Sequence, residues 1–160
     1  MSAHEITLTV NGEEVREAVD ARTTLVDFLR ETLGLTGSHV GCEHGVCGAC
    51  SVRLDGVVVR GCLTLAVQCE GHTVETIEGA SDSGALADLQ EEFRTRNALQ
   101  CGYCTPAMLL TAAELLAGSG VPSRAAIREH LSGNYCRCTG YHAIVDAVEA
   151  VARARAGATS

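Results

Sequence analysis

The sequence predicts an α+β chain in which a sheet-rich first half precedes a helical second half. Before about residue 80, short stretches alternate apolar and polar side chains and two hairpin turns occur, as is typical of strands. Beyond the Ser/Gly-rich stretch 79–84 the apolar residues recur at helical spacing. The nine cysteines include two sets of four, one in each half. We therefore expect two domains, residues 1–79 and residues 80–160.

The first half begins with an alternating segment, residues 4–10, followed by Asn11 and Gly12. An Asn-Gly pair between alternating segments is a strong hairpin signal, so residues 13–16 should return as the second strand. The other predicted elements of this half are a helix over 24–33, a hairpin over 51–59 that turns at Asp55 and Gly56, and a strand over 72–77.

Four helices are predicted in the second half from apolar residues spaced three or four apart. A Thr-Pro pair at 105–106 is typical of a helix start, with Thr105 as the N-cap and Pro106 in the first turn. The tail from Ala150 to Ser160 should fray. The apolar residues that define the four helices are Leu86, Leu89 and Phe93; Met108, Leu109, Ala112 and Leu116; residues 123–131; and Tyr141, Ile144, Val148 and Val151.

Composition excludes several classes of function. The formal net charge is −8, from 20 acidic and 12 basic residues, and no basic cluster is present, so nucleic acid and anionic membranes are poor partners. No apolar run approaches the ~20 residues of a membrane span. The first residues show no signal peptide, which predicts a cytoplasmic protein. Nine cysteines cannot all pair in disulfide bonds, and without a signal peptide a secreted protein stabilised by disulfides is not expected.

The first cysteine set has the spacing of a four-thiolate [2Fe-2S] site. It comprises Cys42, Cys47, Cys50 and Cys62, and the gaps of four and two residues match the plant-type pattern. Glycines at 41, 45 and 48 allow a loop to wrap an inorganic core and direct backbone N–H groups at sulfur. Zinc is the alternative, but the spacing and the glycines favour iron–sulfur.

The second set comprises Cys101, Cys104, Cys136 and Cys138. Cys104 precedes the predicted helix start, where the helix dipole favours a thiolate. The spacing of 136 and 138 places two sulfurs on one side of an extended segment. Spacing alone leaves iron–sulfur and zinc equally open at this site.

Three motifs resemble one known family. They are GCEHGVCGAC (residues 41–50), QCGYCTP (100–106) and GNYCRCTGY (133–141). The chain resembles the small iron–sulfur subunit of the molybdenum hydroxylases, which include xanthine dehydrogenase, aldehyde oxidoreductase and aerobic carbon monoxide dehydrogenase. The resemblance extends from Ile6 to about Val151. It implies a β-grasp ferredoxin-like domain followed by a four-helix domain, with a [2Fe-2S] cluster in each.

The resemblance also implies partners and a direction of electron flow. A large subunit would carry molybdopterin beside the second cluster, and a medium subunit would carry FAD beside the first, in a dimer of heterotrimers. Electrons would pass from molybdenum through the second and then the first cluster to FAD. Gln100 and Cys138 would approach the pterin. One departure is Ala107, where the family usually has glycine.

No nucleotide fingerprint and no nucleophile–base pair is apparent, so this chain should be the electron-carrying subunit of an oxidoreductase without catalytic residues of its own. Two alternatives are a stand-alone two-cluster ferredoxin and a zinc-stapled interaction module. Cys69 is left over and should be a buried apolar residue. His44, inside the first cysteine loop, should face solvent or a partner, and His142 should lie on a helix surface.

Overall fold

A five-stranded mixed sheet forms the first half, and five helices follow it. The computed structural model describes residues 3–158. The strands are β1 (Ala3–Val10), β2 (Glu13–Asp20), β3 (Ser51–Leu54), β4 (Val57–Arg60) and β5 (Thr73–Glu75). The helices are α1 (Leu25–Asp27), α2 (Ile77–Asp82), α3 (Ala87–Thr95), α4 (Thr105–Leu116), α5 (Arg124–His130) and α6 (His142–Ala158).

The strand order in the sheet is β2-β1-β5-β3-β4. β1 pairs antiparallel with β2 and parallel with β5, while β3 pairs antiparallel with β5 and β4. Both predicted hairpins are present, and their turn residues have the left-handed backbone that such turns require: φ is 51° at Asn11 and 49° at Asp55. β5 is shorter than predicted, because Thr76 already occupies the N-cap position of α2.

The helix predicted over 24–33 begins as expected but changes type. The Thr24 hydroxyl accepts a hydrogen bond from the Asp27 N–H, which caps α1. The backbone then widens into a π-helix over Phe28–Thr32. The spacing of Leu25, Phe28 and Leu29 does not reveal this change, because it fits an α-helix equally well and the rest of the π-helix, residues 30–32, is polar. All three side chains are fully buried against the sheet.

Two hydrophobic cores are present. One lies between the sheet and α1, and includes Leu8, Phe28 and Val52. The other is helical and includes Phe93, Met108 and Val148. The two packed units meet where α4 lies on β3 and β4, with the Val58 N–H donating to the Glu114 carboxylate at 2.7 Å. The described part of the chain is thus α+β, as predicted, with a sheet unit followed by a helical unit.

The four predicted helices correspond to α3–α6, and the short helix α2 adds a fifth within the stretch that was expected to contain the domain boundary. Helix α4 begins one residue early: Thr105 is already helical and Cys104 holds the N-cap position, so the predicted Thr105 cap is wrong. The helix start is intact despite Ala107, whose side chain is buried.

The C-terminal tail does not fray as predicted. Helix α6 continues to Ala158, and residues 159–160 of that predicted tail lie outside the described part of the chain. Ala152 is buried, and the Arg155 guanidinium donates two hydrogen bonds to the Asp88 carboxylate at 2.8 and 2.9 Å. Contacts of this kind replace the fraying expected from composition. Between residues 3 and 158, no helix has both the length and the apolar character needed to cross a membrane.

The first hairpin is tied to the junction between sheet and helices. The Asn11 amide accepts from the Thr76 N–H at 2.8 Å and donates to the Thr76 hydroxyl at 3.0 Å. The Thr76 hydroxyl in turn donates to one oxygen of Glu78, whose other oxygen accepts the Gly37 N–H. Thr76 is fully buried, so Asn11 satisfies polar groups that water cannot reach.

We predict that Asn11→Gly destabilises the chain by about 1–3 kcal/mol, because Gly keeps the left-handed backbone but leaves the Thr76 groups unpaired. For a chain of this length the melting temperature should fall by about 2–4 °C per kcal/mol. Asn97→Gly is the matched control, since Asn97 is exposed, has φ of 53° and makes no side-chain hydrogen bond within residues 3–158. Equal melting temperatures for the two variants would contradict the role given to Asn11.

Candidate metal centres

The first cysteine set lies on the loop between the π-helix and β3, with one member just after β4. Cys50 is buried, and Cys42, Cys47 and Cys62 are half-buried. The Cys47 N–H donates to the Cys42 sulfur at 3.4 Å, and the Cys62 N–H donates to the Cys50 sulfur at 3.5 Å. The four thiols are therefore arranged as two neighbouring pairs, each oriented by the backbone of its partner.

The thiols of this set differ in their electrostatic surroundings. Hydrogen bonds from the backbone N–H groups of Cys47 and His44 lower the pKa of Cys42 to about 6. Burial raises the pKa of Cys50 to about 11, and the neighbouring sulfurs of Cys62 and Cys47 add to this effect. Cys42 is thus readily deprotonated in the protein alone. The buried Cys50 would need a nearby positive charge, such as a metal ion, to stabilise its thiolate.

Glycines allow the backbone of the first cysteine loop to approach neighbouring side chains more closely than other residues would permit. A Cβ on Gly41 would lie 3.0 Å from the Cys47 sulfur, and one on Gly45 would lie 2.3 Å from a Leu63 methyl carbon. Gly45 also has φ of 82°, which a side chain would disfavour. The prediction that these glycines serve close approach is consistent with the geometry. His44 is exposed, as expected, with its ring nitrogen Nδ1 against the Cys42 carbonyl oxygen.

The second cysteine set joins two segments that flank α4 and α5. Cys101 and Cys138 are exposed, and Cys104 and Cys136 are half-buried. The Tyr103 N–H donates to the Cys101 sulfur, and the Thr139 N–H donates to the Cys136 sulfur, both at 3.5 Å. The Tyr141 hydroxyl accepts the Cys136 N–H at 2.9 Å and so fixes the 136–138 segment against the start of α6.

The pKa values of this set diverge in the same manner. Burial, together with a hydrogen bond to Cys136, raises the pKa of Cys104 to about 12. Burial would also raise the pKa of Cys136, but hydrogen bonds from the Thr139 hydroxyl and backbone outweigh it and lower that pKa. The hydrogen bond between Cys104 and Cys136 brings the two segments of this set together.

The donor chemistry of both sets fits a [2Fe-2S] cluster. All nine thiols are free, and the eight predicted ligands have backbone N–H groups directed at several of their sulfurs. A [2Fe-2S] cluster takes two thiolates on each of its two irons, which suits sulfurs arranged in pairs. In the described part of the chain, no three His, Cys, Asp or Glu side chains converge on a single metal ion.

The remaining residues singled out from the sequence have simpler positions. Cys69 is fully buried, and burial raises the pKa of its thiol to about 11, so it is an inert core residue. His142 lies at the start of α6 on the surface, 3.7 Å from the Asp146 carboxylate. Gln100 immediately precedes Cys101 of the second set, and its side chain is exposed.

The structure also brings the two cysteine sets close together, which spacing did not predict. The Tyr135 N–H donates to the Cys47 carbonyl at 2.8 Å. A Cβ on Gly48 would lie 2.4 Å from the Gly133 carbonyl oxygen. We call this contact between residues 47–48 and residues 133–135 the seam. Its residues belong to two of the motifs, but nothing in either motif indicates that they touch.

A second link joins the two sets on another side. The ring of His39 stacks on that of Tyr103, with centroids 4.5 Å apart and planes inclined by 18°. The His39 ring nitrogen Nδ1 lies 2.7 Å from the Tyr103 carbonyl oxygen, and the Tyr103 hydroxyl donates to the Val40 carbonyl at 2.7 Å. His39 was not identified from the sequence, because no spacing rule connects it to residue 103.

Family profiles match both halves of the chain. The profile described as a 2Fe-2S iron-sulfur cluster binding domain matches residues 8–101. The profile described as a [2Fe-2S] binding domain matches residues 76–149. The chain is 51% identical over 154 residues to the caffeine dehydrogenase subunit gamma of Pseudomonas sp. (strain CBB1), covering 94% of this chain and 92% of that protein.

The chain is also similar to a further small subunit and to two solved structures. The chain is 54% identical to the nicotine 6-hydroxylase small subunit of Paenarthrobacter nicotinovorans, covering 90% of this chain and 87% of that protein. The crystal structure of quinoline 2-oxidoreductase from Pseudomonas putida 86 contains a chain with a TM-score of 0.88 and 47% identity, covering 99% of this chain and 98% of that one. Aldehyde oxidoreductase from Desulfovibrio gigas gives a TM-score of 0.87 at 44% identity, covering 96% of this chain and 17% of that longer one.

We predict that Gly48→Ala is more destabilising than Gly56→Ala, by about 1–3 kcal/mol as is typical of overpacking. Both glycines have left-handed backbones, with φ of 75° and 83°, so both variants carry the same backbone strain. Only at Gly48 would the added methyl group collide with another segment, since nothing lies within 4 Å of the Gly56 position. Melting temperatures of the two variants test this, and equal values would show that the seam is loose.

Proposed function

The chain belongs to the family of small iron–sulfur subunits of the molybdenum hydroxylases, and on that premise we propose that it relays electrons from molybdopterin on a large subunit, through two [2Fe-2S] clusters, to FAD on a medium subunit. Members of this family are subunits of oxidoreductases. Conversion of the substrate is assigned to the large subunit. A division after residue 79 into two cluster-binding domains is part of the proposal. The two separate cores support a division, and because Ile77 already packs in the helical core, the helical unit begins with α2, slightly before residue 79.

The ligands proposed for the clusters are the eight cysteines other than Cys69. When bound, each cluster accepts and releases single electrons. The protein's own contribution is to hold the sulfurs in pairs, to direct backbone N–H groups at them and to shield their buried side from water. The first set is Cys42, Cys47, Cys50 and Cys62, and the second is Cys101, Cys104, Cys136 and Cys138.

The hydrogen bond from the Tyr135 N–H to the Cys47 carbonyl carries the proposal. Tyr135 is bonded directly to Cys136, a proposed ligand of the second cluster, and Cys47 is a proposed ligand of the first. One hydrogen bond of 2.8 Å therefore completes a short path of covalent bonds between the two sites. Because electronic coupling decays more slowly through bonds than through space, this contact suits transfer between two clusters in one chain.

Each cysteine set has exposed residues at or beside it, which supports the proposal that each faces a partner subunit. The second set reaches the surface through Cys101, Cys138 and Gln100, which would let Gln100 and Cys138 contact the pterin of the large subunit. Beside the first set, Val46 and Leu63 are exposed apolar side chains, 45% and 62% accessible, as expected where the medium subunit would dock. A dimer of such heterotrimers is the proposed assembly. Nine free thiols favour a reducing compartment, and we infer a cytoplasmic location.

Purification of the complex from its native host tests the proposal. We expect iron and acid-labile sulfide at about four each per chain. Molybdenum and FAD should co-purify on two further chains, because the two exposed sites would otherwise have no electron donor or acceptor. Stoichiometric zinc in place of iron would indicate an interaction module. An active chain that purifies alone, with iron but without molybdenum or flavin, would indicate a stand-alone ferredoxin.

Replacement of single cysteines tests the assignment of ligands. Cys104→Ser should abolish the EPR signal of one cluster and retain the other, because Cys104 would bind only the second cluster. Cys69→Ala is the matched control: its thiol is buried but belongs to neither set, so both signals should remain. Loss of both signals in Cys104→Ser, or of either signal in Cys69→Ala, would contradict the two separate sets of four.

A further inference from the structure

Arg60, the last residue of β4, lies half-buried beside the seam. Its Nη1 donates to the Ser51 hydroxyl at 2.5 Å, and its Nη2 donates to the Gly133 carbonyl at 2.8 Å. A weaker contact of 3.5 Å joins Nη2 to the side-chain oxygen of Asn134. The Ser51 hydroxyl itself donates to the Gly48 carbonyl at 2.7 Å. The guanidinium therefore connects the first cysteine loop to the segment that precedes Cys136.

All of these acceptors are neutral oxygens. Within residues 3–158, Arg60 forms no ion pair with a carboxylate, whereas Arg53 on the adjacent strand pairs with Glu75 at 2.5 Å. A partly buried cation loses hydration, and this cost is usually offset by a nearby negative charge. The charge that would offset Arg60 is therefore not supplied by a carboxyl group of this part of the protein.

The same place contains a second donor without an acceptor. Asn134 is 1% exposed, and its amide nitrogen Nδ2 has no hydrogen-bond partner in the described structure. Its side chain lies against Gly48, since a Cβ on that glycine would be 3.1 Å from the Asn134 amide carbon. Unpaired buried donors are rare and call for an acceptor. An anionic group at the seam would supply that acceptor and would also offset the charge of Arg60.

The proposed ligands surround this place. Ser51 follows Cys50, Arg60 is two residues before Cys62, and Asn134 is two residues before Cys136. A cluster held by four thiolates is anionic, and its sulfurs accept hydrogen bonds. We propose that Arg60 is a positioning residue shared by the two cluster sites, whose positive charge raises the reduction potential of both clusters. This inference rests on the proposed function, because it requires a cluster at each site.

The direction of the effect follows from charge. Reduction adds an electron to a cluster that is already negative, so a nearby cation stabilises the reduced form more than the oxidised form. Removing the cation should therefore lower the potentials. The potential of the first cluster should fall more, because two of its proposed ligands are close to Arg60 along the chain. Cys62 lies two residues after Arg60, and Cys50 precedes Ser51, whose hydroxyl accepts a hydrogen bond from the guanidinium. Lysine would keep the charge but not the forked hydrogen bonds.

EPR-monitored redox titration of the purified complex tests this inference, with iron and sulfide content measured on each variant. For Arg60→Gln we expect the reduced-to-oxidised ratio at the wild-type midpoint potential to fall about three- to tenfold for the first cluster, where tenfold corresponds to about 59 mV. A smaller fall in the same direction is expected for the second cluster. Arg60→Lys should stay within about twofold of wild type, as charge alone would dictate.

Arg53→Gln is the matched control, since it removes the same charge from the same hairpin at a residue already paired with Glu75. It should leave both midpoints within about twofold of wild type. Unchanged midpoints in fully loaded Arg60→Gln, or an equal fall in Arg60→Lys or Arg53→Gln, would overturn the inference. A wild-type complex without two iron–sulfur signals would instead contradict the proposed function.

Gly133→Ala gives a second route if Arg60→Gln loses its iron. A Cβ at this position would lie 2.6 Å from the Arg60 Nη2 atom; among residues 3–158, its neighbours 132 and 134 aside, the other atom within 4 Å is the Arg60 Cζ. The substitution should therefore displace the guanidinium and disturb little else. We expect the midpoint potential of the first cluster to fall in Gly133→Ala, but by less than in Arg60→Gln, because the charge is moved and not removed. No change in a loaded Gly133→Ala complex would count against Arg60.

Discussion

Direct backbone contact between two cysteine-bearing loops is the constraint on which the rest of the structure depends. At the seam, Gly48 lies against the Gly133 carbonyl and the Tyr135 N–H reaches the Cys47 carbonyl. The first contact leaves no space for a side chain at residue 48, which is why glycine is required there. It also fixes how the sheet and the helices must be oriented, because each loop is anchored in a different core.

The secondary structure supports this contact from both sides. The helical core presents the start of α4, and with it Cys104, while α4 itself packs on β3 and β4. On the other side, the clamp of Asn11 on Thr76 holds the start of α2 against the first hairpin. The sheet and the helices are therefore joined at two further places besides the seam. A relay of electrons gains from this rigidity, because coupling depends steeply on separation.

Local patterns in the sequence predicted most of the elements and both cysteine sets. The Asn-Gly and Asp-Gly turns specify their hairpins through backbone conformation, and the cysteine spacings led to the ligands proposed for the two clusters. The features that the sequence did not predict include contacts between residues far apart along the chain. Arg60 meets Gly133, and His39 stacks on Tyr103, although neither pair has a spacing that could reveal it. The π-helix over Phe28–Thr32 was missed because its only apolar residues, Phe28 and Leu29, follow Leu25 at ordinary α-helical spacing.

The order of the elements along the chain has a consequence for synthesis on the ribosome. All members of the first cysteine set lie within residues 42–62, and the sheet is completed when β5 inserts between β1 and β3. The second set spans residues 101–138, so its last thiol emerges only after α5. The sheet unit can thus mature while the helical unit is still being translated, and the finished half then serves as the template on which the later loop closes.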